Sequence, residues 1–283
     1  MENIVVKLDN ETLRKLQLTQ LEMLVEVDRI CRKCGISYNI IAGTMLGAVR
    51  HQGYIPWDDD ADVAMLRPEY TRFREACKTD LDTTRFYFQD HVSTKGYRWG
   101  YGKLRRKNTL FLREHQEHMP YEQGVFIDIF PMDGVPDNYM LRCLHNFVCF
   151  AIRKTLWSAV GRVADESAVK RLVYSLLYRI PERSLFSWYE KLIHTSNRKT
   201  TKLVRKLMFP TPNRVFGYYR KWYEQSEEYI FENKSFKGIK NYDEYLSFKF
   251  GEYMKLPPEN MRKVHPVSQI KLIEGEGVYD QSS

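Results

Sequence analysis

The stretch AGTMLGAVRHQGYIPWDDDADVAML, residues 42–66, decides how this chain is interpreted. It places four carboxylates, those of Asp58, Asp59, Asp60 and Asp62, within five positions, shortly after a segment of small residues. Like charges this close repel each other, so the folded protein needs a positive partner between them. That partner is solvent, a neighbouring Lys or Arg, or a metal ion.

Residues 58–66 alternate between acidic and apolar side chains, which predicts a strand with one buried face. On a strand, residues two apart share a face, so Asp60 and Asp62 point the same way. Asp58 joins them if it is also extended, whereas Asp59 points away. Oxygen ligands of this kind suit magnesium or manganese. A solvated acidic loop is the alternative, and the alternating apolar residues argue against it.

The acids also match positions 1, 3 and 5 of an EF-hand calcium loop, with Glu69 at position 12. That loop requires Gly at position 6, and this chain has Val63 there. Gly53 and Pro56 break the helix that would have to enter the loop. These departures argue against a calcium loop.

Two further segments contribute to a candidate site. The apolar run over residues 36–43 predicts a buried strand leading into a short helix, with Thr44 as its N-cap. Gly43 and Thr44 would then present backbone N–H groups to an anion such as phosphate. Asp128 lies inside the apolar strand FIDIF, where a buried carboxylate needs a partner. A shared metal is one such partner, and a structural ion pair with Lys or Arg is the other.

The composition is that of an ordinary globular protein, and 283 residues are enough for a sizeable core. No window reaches the roughly 18 apolar residues of a membrane span, and the beginning lacks the features of a signal peptide. The five cysteines are irregularly spaced, which favours a reducing cytoplasm over a disulfide framework. Their spacing predicts no metal site.

The positive charge is concentrated in residues 139–206, which contain fourteen Lys and Arg but only four acidic residues. Such a segment favours an anionic partner, namely a phospholipid surface, a nucleic acid or a phosphorylated substrate. Alternatively, these basic residues form a helical face that is exposed to solvent, and the sequence favours neither interpretation over the other.

The periodicity predicts a helix over residues 10–34, capped by Asn10 and stopped by Gly35. A second helix is expected over 67–80 and further strands over 97–112 and 124–136, followed by basic helices. The predicted fold is α+β, a mixed sheet flanked by helices with a basic helical insertion. The expected units are a catalytic core over 1–135, a basic helical region over 136–210, and a C-terminal helical segment with a polar tail over 211–283.

The motifs AGTMLGAVRHQGYIPWDDDADVAM, GYGKLRRKNT, GVFIDIFPMDGVP and FGEYMKLPPE resemble, in this order, those of the LicD family, which has the nucleotidyltransferase fold. The first motif is also similar to one in fukutin-related protein, a ribitol-phosphate transferase. The resemblance covers roughly residues 20–135 and 240–265. It leaves the basic helices without a counterpart and the role of His265 open.

The resemblance implies a transferase that moves phosphocholine, or a related phospho-alcohol such as ribitol or glycerol phosphate, from a CDP-activated donor such as CDP-choline. The acceptor would be a hydroxyl of a cell-surface glycan, teichoic acid or lipopolysaccharide, or of its lipid-linked precursor. Asp60 and Asp62 would be the paired ligands of magnesium or manganese, and Asp128 the third acid, serving as ligand or base. Gly43 and Thr44 would lie under the donor phosphates.

Other residues receive weaker assignments in the same scheme. Asp58 would contact substrate, and Arg50, Lys103 and Arg105 would clamp the pyrophosphate, with solvated surface charge as the alternative for these three. A choline group requires aromatic faces, for which Trp57 and Tyr101 are the candidates. The basic helices are candidates for peripheral contact with the inner membrane leaflet.

Two alternatives stay open at this point. A nucleotidyltransferase that adds NMP to a protein, RNA or small molecule would use the same three acids. A non-catalytic RNA- or membrane-binding module would keep the fold without the chemistry, although nucleic acid is not the expected partner because all three acids are present.

Overall fold

The computed structural model describes residues 8–262 and 264–273. Within them, the helices are α1 Asn10–Cys34, α2 Ala42–His51, α3 Arg67–Asp80, α4 Tyr139–Ala164, α5 Ala168–Tyr178, α6 Glu182–Ser196, α7 Lys221–Glu224 and α8 Tyr242–Phe250. The strands are β1 Asn39–Ile40, β2 Asp62–Leu66, β3 Phe86–Gln89, β4 Gly102–Arg106, β5 Leu110–Arg113, β6 Phe126–Val135, β7 Leu203–Arg205, β8 Tyr218–Tyr219, β9 Ser226–Phe231, β10 Lys234–Ile239 and β11 Val267–Lys271.

In the described part of the chain, nine strands form a mixed sheet whose main path runs β3-β4-β6-β2-β1-β10-β9. The pairs β2–β6 and β1–β10 are parallel, and the remaining neighbours on this path are antiparallel. Strands β7 and β8 extend the sheet from the far end of β6, and β11 pairs with β5 as a separate ribbon. The α+β prediction of a mixed sheet flanked by helices is confirmed.

Helix α1 covers one face of this sheet. Its apolar residues recur at helical spacing, so Leu16, Val27 and Ile30 are fully buried against the core. Asp9 caps the beginning of the helix, and its side chain accepts a hydrogen bond from the N–H of Thr12 at 2.7 Å. It ends at Gly35, whose left-handed φ of 60° closes the last turn.

Strand β6 is buried along its whole length and lies at the centre of the sheet. It contains Pro131, which cannot donate a hydrogen bond and is normally excluded from central strands. Here β4 pairs with β6 up to Ile129, and β7 pairs with it from Asp133 onward. Pro131 occupies the gap between these two neighbours, so no ladder hydrogen bond is lost.

The basic segment folds as predicted into helices, α4, α5 and α6. A small core of its own holds α4 to α6, where Cys149 and Leu156 are packed with Leu185 and Tyr189. Among the described residues, none of the helices is both long enough and apolar enough to cross a lipid bilayer. The unit boundaries at 135 and 210 stay a prediction.

The structure corrects several predicted elements. Asp9, rather than Asn10, caps α1, and Ile41, rather than Thr44, precedes α2. The first predicted strand is only two residues long, because the chain turns into α2 at Ala42 with a φ of 53°. The region expected as one strand over 97–112 is two strands, and the C-terminal segment expected to be helical also contains β8 to β11. Its polar tail lies outside the described residues.

Candidate active site

The candidate site is built on a row of side chains that crosses the centre of the sheet. Lys103 on β4 is in register with Asp128 on β6, and Asp128 is in register with Asp62 on β2. Residues in register on neighbouring strands point to the same face, about 4.8 Å apart along the sheet. The topology therefore brings together two predicted acids and one predicted cation from three separate segments.

The remaining acids precede β2 rather than lying on it, which corrects the prediction of a continuous strand from Asp58. The N–H of Asp58 donates to the carbonyl of Ile55 in a turn, and β2 begins only at Asp62. The hydroxyl of Thr44 accepts the N–H of Asp62 at 2.8 Å. Thr44 thus links the first turn of α2 to the acidic segment.

Gly43 allows a close approach between α2 and the acids. A Cβ atom at this position would lie 2.5 Å from Oδ2 of Asp58. Any other residue would therefore displace the carboxylate. The position beside the N-terminus of α2, where a phosphate was predicted, is occupied here by the side chain of Asp58.

The negative charges of the acids are only partly balanced by nearby positive groups. Burial, followed by the charges of Asp60, Asp59 and Asp62, raises the pKa of Asp58 to about 9. Burial and the neighbouring charge of Asp60 raise the pKa of Asp62 to about 7, and burial also raises that of Asp60. Carboxylates whose pKa values rise together in this way favour the binding of a cation.

Two buried lysines flank the acids. Lys103 donates to Asp128, and burial lowers the pKa of Lys103 to about 7 in spite of this partner. Burial also lowers the pKa of Lys206 to about 8, while the charge of Asp62 opposes that shift. The structural ion pair considered for Asp128 is thus present, and its role as a ligand or base stays a prediction.

Asp59 was expected to point away from the other acids, but it holds His265 at the site together with Asp60. The backbone N–H of His265 donates to one carboxylate oxygen of Asp59, and Nδ1 lies 2.9 Å from the other. Nδ1 is also 3.9 Å from Oδ2 of Asp60. The pairing of β11 with β5 carries His265 back to the acids, so the residue with no assigned role belongs to the site.

The two predicted choline contacts have different surroundings. The ring of Tyr101 packs against Phe130 at 4.7 Å and lies 5.4 Å from Nζ of Lys103, beside the acids. The ring of Trp57 is covered by the guanidinium of Arg262 at 4.2 Å. Tyr101 is therefore the better placed of the two for a cationic group.

The predicted arginines make structural contacts. Arg50 donates to the carbonyl of Tyr253 at 2.7 Å, which ties α2 to the turn after α8. Arg105 is buried and donates to Gln89 and to the carbonyl of Gly124. Among the described residues, neither arginine forms a hydrogen bond or an ion pair with the acids, and their contact with pyrophosphate stays a prediction.

Asp60 and Asp62 are the carboxylates predicted to bind the metal ion. Within residues 8–262 and 264–273, no group of three or more Asp, Glu, His or Cys side chains is arranged to hold an ion alone. Magnesium commonly takes only one or two carboxylates and completes its shell with water and substrate phosphate. Asp60 and Asp62, with raised pKa values and hard oxygen atoms, fit that smaller requirement.

Two cavities adjoin the acids. The larger, of about 310 Å³, lies between α4 and the ends of β4, β5 and β6 and includes Lys103. The smaller, of about 230 Å³, includes Lys206 and Lys249. Phe209 and Pro210 line both cavities and form the wall between them. Phe209 and Pro210 thus separate two recesses near the acids.

Sequence reasoning missed Lys206, Lys249 and Arg113. Lys206 is one of fourteen basic residues in its segment, and nothing local distinguishes it. Arg113 ends β5, and its charge acts on both Asp60 and Lys103. An isolated cation at the end of a strand gives no signal before the strands are assembled.

Comparisons with known proteins agree with the resemblance. A family model described as LicD/FKTN/FKRP, nucleotidyltransferase domain, matches residues 35–148. The lipopolysaccharide cholinephosphotransferase LicD of Haemophilus influenzae is 29% identical over 286 residues, which covers 93% of this chain and 98% of that protein. An uncharacterized protein of Rickettsia typhi is 38% identical over 61 residues, or 22% of this chain and 20% of its own length.

Proposed function

We propose that this chain is a LicD-type, metal-dependent transferase that moves phosphocholine from CDP-choline to a hydroxyl of a glycan. The similarity to the Haemophilus influenzae enzyme extends over almost the whole of both chains, which supports phosphocholine as cargo and lipopolysaccharide as acceptor.

One observation carries this proposal. A group of carboxylates with raised pKa values lies between Lys103 and Lys206, and too little positive charge surrounds it. A CDP-alcohol brings a pyrophosphate, whose negative charge cannot approach bare carboxylates. The raised pKa values of Asp60 and Asp62 favour the binding of a divalent cation between protein and phosphate. The lysines would neutralise the phosphate oxygens that face away from the ion.

Asp60 and Asp62 would hold the ion, with Asp128 as a third acid. Bound magnesium or manganese would neutralise the charge that develops on the phosphate oxygens. The N–H groups at the beginning of α2, beside Gly43, would face the donor phosphates, with the side chain of Asp58 displaced from its position there. Phosphoryl transfer depends on such positioning and charge neutralisation more than on covalent catalysis.

The reaction exchanges one phosphorus–oxygen bond for another. The acceptor hydroxyl oxygen attacks the phosphorus that bears choline, and the bond from this phosphorus to the CMP oxygen breaks. The hydroxyl proton passes to Asp128, and CMP leaves with the bonding electron pair. Lys103, already hydrogen-bonded to Asp128, would keep this carboxylate oriented.

Aromatic residues beside the acids would receive the choline. Lys206 Nζ lies 3.5 Å from the ring centre of Phe130 and 4.1 Å from that of Phe209. These two faces already accommodate Lys206, and Nζ of Lys103 lies 5.4 Å from the ring centre of Tyr101. Aromatic faces of this kind are suited to the trimethylammonium of choline.

The direct test is product analysis. Purified protein would be incubated with CDP-choline, magnesium and a phosphocholine-free lipopolysaccharide oligosaccharide. We expect CMP release together with a mass increase of one phosphocholine on the oligosaccharide. Pyrophosphate release from an NTP without CMP release from CDP-choline would instead identify a nucleotidyltransferase.

We also propose that α4 and α5 contact an anionic membrane surface, where a lipid-linked acceptor would be found. Both helices expose large apolar side chains at helical spacing, namely Leu144, Phe147, Leu172, Val173 and Leu176. Basic residues such as Lys170, Arg171 and Arg179 lie among them. Apolar residues interleaved with Lys and Arg suit the boundary between headgroups and acyl chains.

Vesicle sedimentation tests this contact. We expect binding to vesicles of phosphatidylglycerol and phosphatidylcholine but weak binding to phosphatidylcholine alone. The double variant Phe147→Ser/Leu172→Ser should lose most of the binding and remain folded, because both side chains are exposed. Equal sedimentation of the wild type with both kinds of vesicle, or none with either, would contradict the proposal.

A further inference from the structure

The larger cavity has an unusual charge distribution. Six cationic side chains and no carboxylate contribute to its lining, and the cations are Arg98, Lys103, Arg105, Arg113, Arg153 and Lys154. Of these six, only Lys103 forms an ion pair with a carboxylate within the described ranges. A recess with one sign of charge attracts ligands of the opposite sign.

Several of these cations are held in place by neutral groups, which leave their charge intact. Arg98 donates to the carbonyls of Thr155 and Leu156, and Lys154 to the hydroxyl of Tyr174. Nε of Arg113 is buried and has no hydrogen-bond partner among the described residues. The cavity therefore contains fixed positive charge and at least one unused buried donor, which favours an anion with several acceptor oxygens.

The same cavity has aromatic walls suited to a ring. The indoles of Trp99 and Trp157 lie 5.6 Å apart at an angle of 52°, one on the core and the other on α4. Nε1 of Trp99 donates to the hydroxyl of Tyr121 at 2.9 Å, which fixes that ring. Ligand recesses commonly combine such apolar surfaces with a few placed polar groups.

The position of the cavity determines which substrate it suits. The smaller cavity includes Lys249 of α8, and the hydroxyl of Tyr245 on the same helix accepts the N–H of Ala42 at the beginning of α2. That side is where the donor phosphates are proposed to bind. In-line transfer requires the acceptor to approach from the side opposite the leaving group. The larger cavity, next to Lys103, lies on the other side of the wall formed by Phe209.

We propose that the larger cavity is the acceptor subsite and that it binds a phosphate-bearing saccharide. The phosphate would lie among Arg113, Arg153 and Lys154, and a sugar ring would pack against Trp157. The acceptor hydroxyl would then face Lys103 and Asp128. This inference rests on the proposed transferase function and adds to it the chemical class of the acceptor.

Kinetics of Arg153→Gln test the assignment, because this residue lies on α4 and makes no ion pair within the described ranges. The acceptor would be a deacylated lipopolysaccharide core oligosaccharide, compared with the same oligosaccharide after phosphatase treatment. With the phosphorylated form we expect KM for the acceptor to rise about tenfold, as loss of one charge-assisted contact predicts. The dissociation constant for CDP-choline should stay unchanged.

The matched control is Arg162→Gln, which removes the same charge from the same helix. Its guanidinium lies against Tyr178 and does not line the cavity. We expect wild-type values for both substrates. The phosphatase-treated oligosaccharide should give the same raised KM with the wild type and with Arg153→Gln.

A second readout does not depend on turnover. Trp99 and Trp157 line the cavity, so binding of the phosphorylated oligosaccharide should change tryptophan fluorescence in the wild type and less so in Arg153→Gln and Trp157→Phe. If CDP-choline does not bind the wild type but this titration succeeds, the proposed donor is wrong and the anionic saccharide site stands.

Three results would overturn the inference. The first is weaker CDP-choline binding in Arg153→Gln with an unchanged KM for the acceptor, which would assign the cavity to the donor. The second is no change in either constant. The third is equal affinity for the phosphorylated and phosphatase-treated oligosaccharides.

Discussion

The centre of the sheet and the helices α4 and α5 carry opposite unbalanced charges, and they are packed in opposite ways. Around the acids, apolar residues such as Val63 and Ile129 are completely buried. On α4 and α5, Phe147 and Leu172 remain more than half exposed, at 65% and 63%. The core therefore buries its apolar groups internally, whereas Asp58, Asp60 and Asp62 keep pKa values that are raised by burial, because too little positive charge lies near them to offset it. The helices leave both their charges and their apolar groups available to something outside the chain.

The largest expected effect concerns the acids. Asp60→Asn and Asp62→Asn should each lower kcat by about 10²–10³-fold or more, because each removes a proposed metal ligand and a charge that acts on the transition state. The free energy of unfolding should not fall, since each substitution also relieves repulsion. Steady-state kinetics and urea denaturation measure the two quantities.

Glu252→Gln, at an exposed position outside the site, is the control for these variants. It should leave kcat and stability as in the wild type. A loss of several kcal/mol of stability in Asp62→Asn, with activity retained, would assign the acids a structural role instead.

The second prediction contrasts the packing of the two regions. Ile129→Ala in the core should lower the free energy of unfolding by about 2–5 kcal/mol, because it leaves a cavity in a closely packed sheet. Leu172→Ala on α5 should change it by less than about 0.5 kcal/mol, because the side chain is exposed. Similar losses in the two variants, measured by urea denaturation, would mean that α5 is covered by protein in solution.

The third prediction concerns the link between the C-terminal segment and the acids. His265→Ala should lower the free energy of unfolding by about 1–3 kcal/mol, because it leaves the buried carboxylate of Asp59 without a side-chain partner. His265→Asn restores a side-chain donor and should recover part of the loss. Thermal denaturation of the three proteins at one pH is the measurement. Equal Tm values would show that the pair contributes nothing.

The smallest effect is expected from pH. Burial, followed by the charge of Arg205, lowers the pKa of His145 on α4 to about 4, while the unfolded chain titrates near about 6.5. The unfolded state therefore binds the proton first, so this residue destabilises the fold as the pH falls from about 6.5 toward 4. His145→Gln should show a smaller drop in Tm between pH 7.5 and pH 5 than the wild type. An equal drop would contradict this linkage.

The local sequence pattern was sufficient to predict the helices and strands that are long or strongly periodic. The apolar spacing of α1, the Gly35 stop and the apolar run of β6 were all readable from the sequence. Asp128 was identifiable because it is the single acid within the apolar segment FIDIF, where a carboxylate requires a partner. The acidic segment was misassigned at its beginning, because the turn after Pro56 delays the strand until Asp62.

The rest of the site depends on contacts between distant parts of the chain. His265 reaches Asp59 across 206 positions, through a ribbon whose pairing is not visible in either strand alone. The influence of Lys206 on Asp62 arises only when β6, β2 and the segment after β7 are brought together. Charge at these positions is visible in the sequence, but its proximity to the acids is not.

Calorimetric titration with CDP-choline, first with magnesium and then with EDTA, tests the central claim most directly. We expect binding in magnesium that is lost in EDTA and also lost in Asp62→Asn, because the acids repel the pyrophosphate unless an ion lies between them. Binding that is equally strong in EDTA and in Asp62→Asn would contradict a metal-bridged donor on the acidic face.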